Sequence, residues 1–139
     1  MPRKDIYHDT VKVALQKAGW TVTREQFPLK IGNKRLSIDL GAERLISAER
    51  GIKKILVEVK SFVGESEVKD LEQALGQYVL YRQVLNEIGD NRELYLAVTA
   101  TTFSSVFNIE LGQVLLKNEI IKLVVFDDLT EEIVQWIPD

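Results

Sequence analysis

The fold is decided by a six-residue stretch in the middle of the chain, Ile55-Leu56-Val57-Glu58-Val59-Lys60. Its odd-numbered positions are all β-branched and apolar, whereas its even-numbered positions end in Glu58 and Lys60. Since successive side chains of a strand point to opposite faces, this alternation places Glu58 and Lys60 on one face of a sheet. A Glu-x-Lys tripeptide on a strand is usually an exposed ion pair. Inside so apolar a strand it needs another explanation, because Glu and Lys are rarely buried. The stretch therefore predicts a buried strand that carries functional side chains.

A second carboxylate, Asp39, lies 19 positions before Glu58 in Ser37-Ile38-Asp39-Leu40. If the two strands are neighbours, both carboxylates and the Lys60 ammonium converge at one edge of the sheet. Two carboxylates suit Mg²⁺, or Mn²⁺, and such an ion polarises a scissile phosphate and lowers the pKa of a bound water. Lys60 could orient that water or neutralise developing negative charge. The constellation predicts metal-dependent phosphodiester hydrolysis with Asp39 and Glu58 as metal ligands.

The residues up to Phe62 predict one helix followed by extended segments. Helical spacing of apolar side chains stops at Gly19, and Gly32-Asn33 is typical of a turn. The predicted elements are an amphipathic helix at 3–18, a hairpin formed by 20–27 and 35–40, an extended segment near 45–48 and the Glu58 strand at 53–62.

After Glu58 the pattern predicts a long helix and then alternating elements. Ser66 is a candidate N-cap, and Glu67 and Asp70 suit the first turn of a helix that ends before Gly89. The predicted elements are a helix from 66 to about 88, a strand at 93–99, a helix at 103–118 and strands at 121–126 and 133–136. The full order, αβββαβαββ, predicts a mixed α/β sheet crossed by the long helix.

Length and composition indicate one domain over residues 1–139. The chain is 45% hydrophobic and 28% charged, and a chain of this size can fold around a single core. The lack of cysteine excludes disulfides, thiolate zinc sites, iron–sulfur clusters and cysteine nucleophiles, and the single histidine excludes multi-histidine metal sites. The longest apolar run has five residues and the start lacks the apolar core of a signal peptide, so we expect a cytoplasmic protein without membrane spans.

Charge is divided unevenly along the chain. Residues 1–60 carry 13 basic and 7 acidic side chains, whereas residues 61–139 carry 5 and 14. This split permits a basic face for phosphate contact, although such runs are usually a solvated surface. The candidates for that face are Lys30, Lys34, Arg35, Arg44, Arg50, Lys53 and Lys54. We expect DNA contact through Lys34, Arg35 and Ser61.

The Asp39 and Glu58-Val59-Lys60 motifs resemble those of the PD-(D/E)xK nuclease superfamily, although Ile38 stands where proline is common. The resemblance covers about residues 3–99 and implies a restriction-endonuclease-like fold with an αβββαβ core, followed by a C-terminal extension at about 100–139. It implies that Asp39 is the motif's aspartate and that Glu58 and Lys60 are its ExK pair. By the same resemblance the Val59 carbonyl is a further metal ligand.

The long helix carries Gln77-Tyr78-Val79-Leu80-Tyr81, which resembles the QxxxY motif of RecB-type nucleases. Gln77 and Tyr81 lie about 40° apart around a helix and can both face the metal site. Tyr81 is equally compatible with a core aromatic. Many relatives place a glutamate on the first helix, and here we assign that accessory place to His8, with Asp5 next. A satisfied structural histidine is the plainer interpretation of His8.

A closer resemblance, over most of the chain, is to the XisH family of controlling factors for excision of the fdxN element. It rests on these segments: Asp5-x-x-His8, Ala18-Gly19-Trp20, Asp39-Leu40-Gly41-Ala42-Glu43, Val57-Glu58-Val59-Lys60-Ser61-Phe62, Ala74-Leu75-Gly76-Gln77-Tyr78 and Leu94-Tyr95-Leu96-Ala97-Val98. It implies a role in DNA rearrangement. The partners that we expect are DNA, a small protein of the XisI type and a second copy of the chain.

Two functions follow from the sequence. The first is a metal-dependent DNA nuclease whose catalytic residues are Asp39, Glu58, Lys60 and Gln77. The second is a noncatalytic DNA-binding or assembly factor that keeps the nuclease fold, since sites persist on folds that only bind. The intact carboxylates and lysine favour the nuclease, whereas an isoelectric point near 5.3 favours dependence on a partner.

Overall fold

The computed structural model describes residues 4–139, which form one six-stranded mixed sheet in the order β1-β2-β3-β4-β5-β6. The strands are β1 Thr21–Ile31, β2 Lys34–Ser47, β3 Gly51–Val59, β4 Glu93–Thr99, β5 Leu123–Asp127 and β6 Glu132–Ile137. The first three strands form an antiparallel meander, β3, β4 and β5 are parallel, and β6 returns antiparallel to β5. The predicted mixed α/β sheet is confirmed.

Helices connect the parallel strands, and a further helix precedes β1. They are α1 His8–Lys17, α2 Glu67–Glu87, α3 Ala100–Thr102 with a π-helical turn at Phe103–Phe107, and α4 Glu110–Lys117. The predicted N-cap is confirmed, because the Ser66 side chain accepts the Lys69 N–H at the start of α2. Gly89, at φ +77°, follows the end of this helix, as a left-handed glycine commonly does.

The sheet separates two apolar clusters. Residues 55, 57 and 59 of β3 pack with α1, whereas Leu56 packs with α2 and the π-helical turn. This is the alternation that the sequence predicts for the strand. Glu58 therefore shares the α2 face with Leu56. Among the described residues no helix has both the length and the apolar composition that crossing a membrane requires.

Several predicted boundaries are wrong in the N-terminal part. The first helix begins at His8 rather than near residue 3, which lies outside the described residues. Strand β1 continues through Pro28 to Ile31, which is possible because β1 lies at an edge of the sheet. The segments expected at 35–40 and near 45–48 belong to the single strand β2.

The C-terminal part differs in the helix expected at 103–118. A π-helical turn and a short break separate α3 from α4, and Gly112 of α4 lies against the backbone of this turn. A Cβ added at Gly112 would lie 2.2 Å from the Phe107 Cα. Two closely packed helical segments therefore stand where one continuous helix was expected. The strand expected to begin at 121 begins at Leu123.

Candidate functional site

The candidate site lies where strands β2 and β3 separate. Their ladder is paired as far as Leu40 and Val57. One residue beyond it, the main-chain N–H of Asp39 donates to Glu58 Oε1 at 3.1 Å, and the Val59 N–H donates to Asp39 Oδ2 at 2.7 Å. Two carboxylates thus take up main-chain donors at the point where the strands diverge. This brings Asp39 and Glu58 together, as the sequence predicts.

The surroundings of Glu58 favour the protonated form of its carboxyl. Its residue is 7% exposed, and burial together with the neighbouring Asp39 carboxylate raises its pKa to about 9. Tyr81 of α2 is also buried and contacts Glu58, so it lies beside the carboxylate pair. Burial and then the two carboxylates raise the pKa of Tyr81 to about 12, so its hydroxyl keeps its proton. Near neutral pH this raised pKa favours the protonated form of the Glu58 carboxyl.

The donor set fits a hard divalent cation. Two adjacent carboxylates offer the oxygen ligands that Mg²⁺ and Mn²⁺ take, and a cation between them would remove the repulsion that raises the pKa of Glu58. Val59 follows Glu58 at the end of β3 and donates its N–H to Asp39, so this residue adjoins both carboxylates. The arrangement can therefore hold an ion where β2 and β3 separate.

Lys60 follows the last residue of β3, and its side chain extends toward α2. Its main-chain N–H donates to the Ala97 carbonyl at 3.1 Å, and its Nζ donates to Gln73 Oε1 at 3.0 Å. Gln77 is exposed one helical turn farther along α2, and Tyr81 follows one turn later. The structure thus brings Tyr81 to the carboxylates, while the Lys60 ammonium is held by Gln73. Gln73 was missed from the sequence, although its position one turn before Gln77 was a usable signal.

Asp5 binds the segment that follows Lys60. Its Oδ2 accepts the Ser61 N–H at 2.8 Å and the Ser61 hydroxyl at 2.9 Å, and its Oδ1 accepts the Tyr7 N–H. These bonds tie the residues before α1 to the end of β3. The structure therefore gives Asp5 a positioning contact with Ser61; its accessory role at a metal stays a prediction.

His8 lies in a separate cluster on the α1 side. It is buried, and its Nε2 is 2.8 Å from Glu25 Oε1, while Lys12 Nζ donates to Glu25 Oε2 at 2.9 Å. The hydrogen bond from Lys12, followed by that from His8, lowers the pKa of Glu25 to about 2. Glu25 faces Leu40 across the β1–β2 ladder, next to Asp39. Sequence reasoning missed Glu25, since that cross-strand pairing is not visible from periodicity.

Two of the three predicted DNA contacts are on the surface, whereas Ser61 is part-buried and bound to Asp5. Lys34 and Arg35 are exposed at the start of β2, beside the turn that follows Ile31. Arg35 faces Lys30 across the ladder, so this end of the hairpin presents several cations. It forms a basic tip, defined as Lys30, Lys34 and Arg35.

The sequence and the fold are similar to those of known proteins over nearly the whole chain. Residues 1–134 match the family described as XisH protein. The fold is similar to that of an XisH family protein from Nostoc punctiforme PCC 73102, at 36% identity and a TM-score of 0.84, with 96% of this chain and 99% of that chain covered. A fdxN element excision controlling factor protein from Anabaena variabilis gives the same identity, TM-score and coverage. No curated protein matches the sequence significantly.

Proposed function

The chain belongs to the XisH family, and we propose that it is a metal-dependent DNA nuclease that cuts phosphodiester bonds during DNA excision. The observation that carries the proposal is the buried Asp39–Glu58 pair at the diverging ends of β2 and β3, with Lys60 two residues beyond Glu58. The strand order from α1 to β4 supports a restriction-endonuclease-like core with a PD-(D/E)xK site. The name of the Anabaena variabilis protein supports excision as the setting.

In this proposal Asp39, Glu58 and the Val59 carbonyl hold Mg²⁺ or Mn²⁺. The ion, when bound, polarises the scissile phosphate and lowers the pKa of a bound water. Glu58 must first lose its proton, which a neighbouring cation favours. Tyr81 stays neutral beside Glu58 and orients that carboxylate through its hydroxyl.

Lys60 neutralises the charge that develops on the phosphate during attack. To do so, its ammonium exchanges the Gln73 oxygen, 3.0 Å away, for the phosphate oxygen. Asp5 holds Ser61 and so limits where the end of β3 can move. Gln77, exposed on the same helix, is placed to contact the DNA backbone. The basic tip supplies phosphate contacts away from the reacting bond, as Lys and Arg typically do.

A second candidate function is noncatalytic binding or assembly in an excision complex. It is favoured by the engagement of Lys60 with Gln73 and by the net charge of −3, which disfavours tight DNA binding by the chain alone. In that case the preserved site holds DNA or a partner of the XisI type without cutting.

Cleavage by purified protein distinguishes the two functions. We expect nicking or cutting of single-stranded, duplex or branched DNA in Mg²⁺ or Mn²⁺, with a small partner protein of the XisI type present if needed. Lys60→Ala should keep metal affinity and lose about 10²-fold or more in cleavage rate, the loss typical of a removed charge-stabilising donor. Lys117→Ala, an exposed lysine of α4, is the matched control. Cleavage that survives Lys60→Ala, or none by the unaltered protein, overturns the nuclease proposal.

A further inference from the structure

A cavity of about 390 Å³ opens on the α1 face of the sheet, away from the carboxylate pair. It is lined by Ile55 and Tyr95 of the core and by Trp20 and Trp136. Ile55 precedes Glu58 by three residues of β3, about 10 Å along the strand, and packs in the cluster on the opposite face. The cavity is therefore separate from the candidate site, and its volume lies within the ~300–1,000 Å³ of small-molecule sites.

Three aromatic rings form one side of the cavity. Trp136 lies between the others, with its ring centroid 5.7 Å from Trp20 and 5.0 Å from Tyr95. The rings belong to three separate segments: the residue before β1, strand β4 and strand β6. Trp20 and Tyr95 are largely buried, so Trp136 has the most exposed ring of the three, and such a ring takes a planar base by stacking.

Two cations converge at the same cavity. Arg44 and Lys53 both line it, and they face each other directly across the β2–β3 ladder. Lys53 Nζ lies 3.4 Å from Glu93, whereas Arg44 has no carboxylate within 4.0 Å among residues 4–139. Asp139 also lines the cavity and, within this described part, pairs with neither cation. Like charges directly opposite each other are destabilising, and a bound anion would remove that cost.

We propose that this cavity binds a nucleoside monophosphate, with the base against the aromatic rings and the phosphate between Arg44 and Lys53. A phosphate monoester carries close to two negative charges at neutral pH and so matches two cations better than a carboxylate does. The guanidinium of Arg44 lies against Gly19, next to Trp20, which keeps the cation beside the aromatic side of the cavity. The ligand is either a free nucleotide or the 5′-terminal nucleotide of a DNA strand, which share this chemistry.

Tryptophan fluorescence tests the proposal directly, because the two tryptophans of the chain both line the cavity. The unaltered protein is titrated with dAMP, deoxyadenosine, inorganic phosphate and oligonucleotides that carry a 5′-phosphate or a 5′-hydroxyl. We expect saturable quenching by dAMP, and binding at least about 10-fold weaker for deoxyadenosine and for inorganic phosphate. Tighter binding of the 5′-phosphorylated oligonucleotide than of both the 5′-hydroxyl oligonucleotide and dAMP identifies a strand end as the ligand, and tighter binding of dAMP identifies a free nucleotide.

Variants separate this cavity from the nuclease site. Arg44→Gln should weaken dAMP binding at least about 10-fold, whereas Arg50→Gln, an exposed arginine outside the lining, should leave it unchanged. Asp39→Asn should also leave dAMP binding unchanged, so loss of cleavage and loss of nucleotide binding are distinguishable. Circular dichroism checks that each variant folds. The proposal is overturned by no saturable binding, by equal binding of dAMP and deoxyadenosine, by equal binding of dAMP and phosphate, or by an unchanged affinity in Arg44→Gln.

Discussion

The main-chain N–H of Asp39 donates to the Glu58 carboxylate at 3.1 Å, while the Asp39 carboxylate accepts the Val59 N–H at 2.7 Å. Each side chain thus binds the other strand just beyond the last ladder pair. The same two carboxylates repel each other when both are charged, and this repulsion adds to burial in raising the pKa of Glu58 to about 9. The Asp39 and Glu58 carboxylates therefore hold the two strands together and also repel each other, so the stability of this region should depend on cations and on pH.

A divalent cation should stabilise the folded protein. Because the site exists only in the folded state, Mg²⁺ or Mn²⁺ at 100 times its dissociation constant adds about 2.7 kcal/mol to the free energy of unfolding. Asp39→Asn should remove this gain, since asparagine keeps an acceptor for the Val59 N–H but loses the charge. Thermal unfolding with and without metal measures the effect, and Glu110→Gln, an exposed carboxylate of α4, is the control. An equal gain in Asp39→Asn would exclude the pair as the metal site.

Without metal, stability should fall as the pH rises from about 5 to 9. The pKa of Glu58 is raised in the folded state from 4.5 to about 9, so its contribution is fully present below the unfolded value and is lost as pH rises through the folded value. Each pKa unit corresponds to about 1.4 kcal/mol, so the total loss is on the order of several kcal/mol.

Urea unfolding in a chelator at several pH values measures this dependence. Glu58→Gln cannot ionise and should flatten the curve over this range. The same slope in Glu58→Gln and in the unaltered protein would place the responsible group elsewhere.

Local patterns in the sequence were sufficient for some features and insufficient for others. The period-two alternation of residues 55–60 predicts the two faces of β3, and Ser66 predicts the start of α2, because both depend on neighbours in the chain. The continuity of β2 depends on its pairing with β1 and β3 over a long ladder, which single segments do not report. The contact of His8 with Glu25 joins residues 17 positions apart and depends on how α1 packs.

The π-helical turn illustrates a second limit. Nothing in the helical spacing of residues 103–118 signals a break, because the same side chains suit a continuous helix. The break becomes intelligible only from the packing of Gly112 against the turn. Lys60 shows the same limit at the site, since its hydrogen bond to Gln73 depends on where α2 crosses β3.

Replacement of Gly112 by alanine should destabilise the protein by about 1–3 kcal/mol, the usual cost of overpacking. The new Cβ would lie 2.2 Å from the Phe107 Cα and 2.4 Å from the Val106 carbonyl oxygen, and backbone atoms cannot rotate away. Gly76→Ala in α2 is the matched control, because its Cβ meets nothing within 4 Å. There alanine should stabilise the helix by up to about 1 kcal/mol. Urea unfolding should give opposite signs for the two variants, and equal effects would contradict the close approach.

Loss of the Asp5 carboxylate should cost more than loss of the Ser61 hydroxyl. Asp5 Oδ2 accepts both the N–H and the hydroxyl of Ser61, so Asp5→Ala leaves a part-buried N–H without that acceptor. We expect about 1–3 kcal/mol for Asp5→Ala and about 1 kcal/mol for Ser61→Ala. Urea unfolding of both single variants and the double variant measures the coupling. Additive effects would show that the two side chains do not act together.

DNA binding should depend on the basic tip at the β1–β2 turn. Each phosphate contact contributes about 0.9 to the slope of log affinity against log salt for duplex DNA. Replacing Lys34 and Arg35 together with alanine should therefore lower the slope by up to about two if both touch phosphate. The measurement is made on the chain alone or, if binding requires it, on the complex with its partner.

The β2–β3 turn provides the matched control for this surface. Arg50 of the β2–β3 turn and Lys54 of β3 are exposed cations near the other end of β2, so their double alanine variant removes the same charge from that end of the sheet. A general electrostatic effect would change both slopes alike, whereas phosphate contact at the basic tip changes only the first. An unchanged slope and affinity for the Lys34 and Arg35 variant would remove these two side chains from the DNA surface. A larger change in the control would locate that surface at the Arg50 end.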